Sequence, residues 1–171
     1  MKSTREKLAV LTLCIASGSA LAGKDVAPVD NQDYAKECGS CHFPYQPGLM
    51  PARSWEKIMA NLADHFGDNA ELPADEQKML TDYLVANAAD TSKYKRSVKI
   101  MKSIAAGQTP TRITEIRYII EKHDEVPKRL IVDNPDVKSL SRCDACHIKA
   151  AEGSYSEGEV KIPGAGRWED D

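Results

Sequence analysis

AKECGSCHFPYQP, residues 35–47, sets Cys38 and Cys41 in a C-x-x-C spacing, with His42 directly after and a proline-rich turn beyond. SRCDACHIKAAEG, residues 141–153, repeats the pattern with Cys143, Cys146 and His147. Three chemistries compete for such a motif. Paired disulfides would leave His42 and His147 without a purpose. A zinc site places its histidines further along the chain, because a His next to a ligating Cys rarely reaches the same tetrahedral ion. Covalent haem attachment uses every residue: two thiols add to the two vinyl groups, and the following His reaches the iron. Two such motifs point to two covalently attached haem c groups, held by Cys38, Cys41, Cys143 and Cys146, with His42 and His147 as proximal ligands.

The one other cysteine, Cys14, lies in MKSTREKLAVLTLCIASGSALAGKD. Lys2, Arg5 and Lys7 precede an apolar run, and Ala20-Leu21-Ala22 forms an A-x-A site. Residues 1–22 therefore read as a cleaved secretory signal peptide, which sends the mature protein out of the cytoplasm. The run is too short to cross a bilayer core of roughly 30 Å, and no later segment is long and apolar enough for stable membrane insertion. Three basic residues and one acidic residue leave with it, so the net charge moves from −3 to −5. That balance excludes an ordinary nucleic-acid binder. Aromatic residues are only 6% of the chain, a poverty that a bulky prosthetic group would offset by filling the core.

Only His65 and His123 remain for the far side of each iron. His65 is expected in the last turn of a helix over SWEKIMANLADHFGDN, with Ser54 as N-cap, Ile58, Met59, Leu62 and Phe66 as the apolar stripe and Gly67 as the stop. His123 is expected at the end of a helix carrying Ile113, Ile116, Ile119 and Ile120. Methionine is the rival ligand. Met59 and Met79 fall on apolar helix faces, and Met50, between Leu49 and Pro51, has the only loop setting suited to ligation. No Met or His follows His147, so the second iron takes its distal ligand from upstream. Bis-histidine ligation at both irons is the favoured reading. His42–His65 and His147–His123 are the simplest pairs, with a crossed pairing left open. Two such irons have low potentials and no open position, which favours electron transfer over catalysis. The alternative is a haem enzyme or gas-binding protein, in which one distal histidine dissociates.

The layout is mainly α. Residues 23–90 read as a haem domain of three helices in the order of a class I cytochrome c, the third with Pro73 in its first turn and Met79, Leu80, Tyr83 and Leu84 inward. Residues 91–171 read as a second haem domain, irregular and mostly helical, with a Gly-, Pro- and Ser-rich tail as a strap. A helix over TSKYKRSVKIMKSIAAGQTP carries Lys93, Lys95, Arg96, Lys99 and Lys102, a solvated face or a docking patch for an acidic partner. Arg53 and Trp55 are candidates to hold a haem propionate, packing roles being the alternative.

The stretches CGSCHFPYQPGLMPARSW, MANLADHFGDNAEL, YLVANAAD, TPTRITEIRYIIEKHDE and CDACHIKAAEGSYSEGEVKIP resemble the dihaem cytochromes c of proteobacterial periplasms over nearly the whole mature chain. The resemblance implies a class I-like N-terminal haem domain, an unusual C-terminal one, and His42, His65, His123 and His147 as the four axial ligands. It also implies partners: a small soluble monohaem cytochrome known as sphaeroides haem protein, and a membrane cytochrome b. Met50 departs from the pattern, standing where a plain aliphatic residue is expected. The small dihaem subunit of periplasmic nitrate reductase, also bis-His, fits these stretches less well.

Overall fold

The computed structural model describes residues 24–168; the signal-peptide reading falls outside them. The chain is mainly helical, and among the described residues the one sheet has two short strands. No helix among them is long and apolar enough to cross a membrane.

Helix α1, Gln32–Gly39, starts where the Asn31 side chain accepts from the Tyr34 N–H, a standard N-cap. It delivers Cys38 at its last turn. A 3₁₀ turn over Pro47–Leu49 follows, and α2, Ala52–Met59, begins after Pro51. Ser54 is not the cap; it lies inside α2, fully buried. Helix α3, Ala74–Ala86, starts after Pro73 and packs on α2, with Leu80 and Leu84 turned inward. Met79, expected on that inner stripe, is 43% exposed instead.

Helix α4, Lys95–Ser103, turns Ser97 and Ile100 into the core and contacts the short α5, Arg117–Glu121. A single helix through to His123 does not form. Ile116 has extended backbone (ψ 126°), which separates a 3₁₀ turn over Ile113–Glu115 from α5. Helix α6, Cys143–Cys146, is one turn long. The tail pairs β1, Lys161–Ile162, with β2, Gly166–Arg167, in antiparallel register Lys161 to Arg167 and Ile162 to Gly166. An isolated bridge joins Val160 to His147, so the tail is strapped across the second motif.

The buried core runs continuously from Val26 and Tyr34 through Leu49, Met50, Trp55, Leu80 and Leu84 to Ile100, Ile113, Ala150 and Tyr155. A buried polar bridge ties its ends. Gln46, fully buried, donates from Nε2 to the Ala150 carbonyl, and its Oε1 accepts from the Tyr155 hydroxyl at 2.6 Å. Gln46→Ala leaves that hydroxyl buried without a partner and removes one of the two bonds to the Ala150 carbonyl, which keeps the Gly153 N–H at 2.9 Å, a cost of about 2–3 kcal/mol. Thermal unfolding followed by circular dichroism should show Tm lowered by about 5–10 °C.

Candidate haem sites

In each half of the chain a motif histidine faces a second histidine. The His42 and His65 ring centroids are 6.2 Å apart, with planes at 13°. Those of His123 and His147 are 6.0 Å apart, with planes at 82°. A ring nitrogen bonds a transition metal at about 2 Å and its ring centre lies about 1 Å further out, so two rings on opposite sides of one metal stand roughly 6 Å apart. Both pairs fit an iron between them. Among the described residues, no three His, Cys, Asp or Glu groups cluster as a bare ion would require.

Backbone carbonyls fix two of the histidines, while the buried Nδ1 of His147 has no partner. Nδ1 of His42 lies 2.7 Å from the Phe43 carbonyl oxygen, and Nδ1 of His123 lies 2.7 Å from that of Ile119. An Nδ1–H donated to a carbonyl leaves the Nε2 lone pair for a metal and raises its basicity. Burial lowers the pKa of His147 to about 4, helped by His123 and then Arg96. Burial, with His42 beside it, also lowers that of His65. Both rings are therefore held in the neutral form that binds metal.

His65 reaches its place by a tight turn, not by a helix end. Helix α2 stops at Met59, and a 3₁₀ turn over Leu62–Asp64 leads into it. The His65 N–H donates to the Asp68 carbonyl at 2.7 Å, and Phe66 and Gly67 take φ values of 59° and 102°. Gly67 is thus the second residue of a primed turn, where glycine has no steric penalty. Phe66 is in the left-handed region at some cost in strain. Its ring packs edge-on against His65 at 4.9 Å, with the Arg112 guanidinium 4.2 Å from its centre.

The four motif thiols are unpaired with one another. Burial pushes the Cys38 thiol up to about 11 and the Cys143 thiol up to about 12, so neither ionises readily in the folded chain. A cavity is lined by Cys143, Cys146, His123, His147, Tyr155 and Arg96. Its other walls are mostly apolar, among them Leu49, Ile113, Val137 and Val160, with Lys122, Arg142 and Glu157 also lining it. An apolar slot with thiols at one side and two facing histidines suits a porphyrin.

The rival ligands and propionate candidates are engaged elsewhere. Met50 is 1% exposed, in the core with Met59. Trp55 donates its indole N–H to the Pro47 carbonyl at 2.8 Å, and Arg53 donates to the Gln108 carbonyl at 2.7 Å and approaches Asp90 at 3.8 Å. Tyr45, unnoticed in the sequence, links the two sites. Its ring stacks on His42 at 5.0 Å, and its hydroxyl donates to the Ser141 carbonyl, two residues before Cys143. Arg96, expected with the solvated lysines, is folded inward. The available signal was its spacing, four residues before Ile100, which puts both on one helix face.

A family model described as "Dihaem cytochrome c" matches residues 34–155. Among solved structures, a diheme cytochrome c of Shewanella baltica OS155 is 42% identical, with a TM-score of 0.68, covering 81% of this chain and 98% of its own. A diheme cytochrome c of Rhodobacter sphaeroides is 37% identical, also with a TM-score of 0.68, covering 76% of this chain and 100% of its own. No curated protein sequence matches at a significant level.

Proposed function

The chain belongs to the dihaem cytochrome c family and carries two c-type haem groups; on that premise we propose that it is a periplasmic electron carrier whose two irons are each closed by a histidine pair. The observation that carries this reading is the facing of four histidine rings in two pairs at about 6 Å. Haem iron so ligated supplies a one-electron couple and takes no exchangeable ligand.

The protein's own residues do the rest. Cys38 and Cys41 fasten the first macrocycle, and Cys143 and Cys146 the second. His42 with His65, and His147 with His123, would hold the two irons. The turn at Phe66–Gly67 and the carbonyl of Ile119 keep the distal rings from swinging away. The described part of residues 23–90 wraps the first haem in a class I-like unit, and the described part of residues 91–171, with Leu49 from the first unit, wraps the second. Tyr45 bridges them, offering a short path for an electron. The donor is a membrane cytochrome b and the acceptor a soluble monohaem cytochrome similar to sphaeroides haem protein. That assignment rests on the family resemblance of the quoted stretches.

Carbon monoxide tests the closed irons. The dithionite-reduced holoprotein at neutral pH should give no carbonyl spectrum on mixing, while ferric small-molecule oxidants reoxidise it fully. Rapid formation of a carbonyl adduct would make it a ligand-binding haem protein instead.

A further inference from the structure

The two sites differ in the charge that surrounds them. Lys93, Lys95, Lys99 and Lys102 of the α4 region are exposed to water. Arg96 is not: its side chain is 16% exposed and lines the cavity of the second motif. Its Nη1 donates to the Tyr118 hydroxyl at 3.1 Å and its Nη2 to the Tyr155 carbonyl at 2.9 Å, while Nε is buried without a partner. The guanidinium carbon is 5.6 Å from the Tyr155 ring centre, and that ring is 5.1 Å from His147, so the charge lies within about 11 Å of His147.

The counter-ion of Arg96 is Asp25, whose side chain is 22% exposed against 16% for the arginine. Asp25 Oδ2 sits 3.3 Å from Arg96 but also accepts the Tyr155 backbone N–H at 2.8 Å. Lys122 and Glu157, which also line this cavity, pair with each other in the open. At the first site the matching cation is Arg112, 51% exposed and screened by water and salt.

We propose that Arg96 sets the order of the two reduction potentials, its buried charge making the second haem the easier one to reduce. A ferric haem carries one positive charge more than a ferrous one. A fixed cation nearby disfavours the ferric form, and more strongly where water is excluded. Electrons entering the protein then come to rest at the second haem. This rests on the bis-histidine reading, and the ring geometry separates the two claims. Crossed imidazole planes leave the iron d orbitals they overlap nearly degenerate, whereas parallel planes split them. The second pair, at 82°, should give a highly anisotropic low-spin ferric signal, and the first, at 13°, an ordinary rhombic one.

The test is a redox titration of the holoprotein in which the two paramagnetic signals are followed separately. In the native protein the anisotropic signal should disappear first on reduction. Arg96→Gln should weaken reduction of that haem about tenfold, or about 59 mV for one electron, with the rhombic signal unmoved. Arg96→Lys should restore most of it. Asp25→Asn should shift the same haem in the opposite direction, which mere loosening of the fold would not do. If the anisotropic signal disappears last in the native protein, or Arg96→Gln leaves it unmoved or moves both haems equally, the proposal is wrong. A high-spin signal in the native protein would count against the bis-histidine reading instead.

Discussion

Replacing His123 by alanine is expected to turn the second haem, and that haem alone, into a high-spin centre that binds carbon monoxide. The His123 ring is the group facing His147 at 6.0 Å, held by the Ile119 carbonyl. Within the cavity that encloses this pair, Tyr155 is 5.1 Å from His147 but on a ring that carries no ligating nitrogen. With His123 gone the iron keeps only His147, and the sixth position opens. Carbon monoxide should then bind in a ratio of one per chain, where the native protein is expected to bind none. His65→Ala should do the same to the first haem. Visible spectra of the two variants, with carbon monoxide titrations, check the pairing directly. High-spin character at the first haem in His123→Ala would establish a crossed pairing.

The second large effect is on stability. Gly153→Ala should destabilise the folded protein by about 3–5 kcal/mol. Gly153 has φ +81°, and an added Cβ would lie 2.3 Å from the Val26 carbonyl oxygen. Left-handed strain for a residue with a Cβ costs about 1–3 kcal/mol. The clash is with backbone, so the segment at residues 24–28 must move away. That movement breaks the bonds from Asp25 N–H and Val26 N–H to the Gly153 carbonyl, 2.8 and 3.1 Å long, each worth about 0.5–1.5 kcal/mol. Thermal melts should show Tm lower by about 10 °C or more. Gly107→Ala, also at φ +81° but with nothing within 4 Å of its Cβ, should lose much less.

Much of this was legible in the sequence because the chemistry is local. C-x-x-C-H fits in five residues, and the histidine count left two candidates for two vacancies. The structure brings each candidate opposite the expected partner. Helices α1, α3 and α4 form where helices are expected, although Met79 of α3 turns outward. What escaped the sequence depends on contacts far apart in the chain or on backbone states that spacing does not encode. Phe66 in a left-handed conformation cannot be read from helical periodicity, so spacing alone puts His65 at a helix end instead of in a tight turn. The break at Ile116 is of the same kind. The Gln46–Tyr155 bond spans 109 residues, and Arg96 draws its partners from Asp25, Tyr118 and Tyr155. An arginine in a run of lysines looks like surface until those partners are in place.

Both irons should be six-coordinate, with a histidine on each side. Low-temperature electron paramagnetic resonance of the fully oxidised holoprotein addresses this in one experiment. Two low-spin signals of equal weight are predicted, one rhombic and one highly anisotropic, with no methionine–iron charge-transfer band in the matching optical spectrum. A high-spin signal amounting to one haem, or that methionine band, would contradict the account.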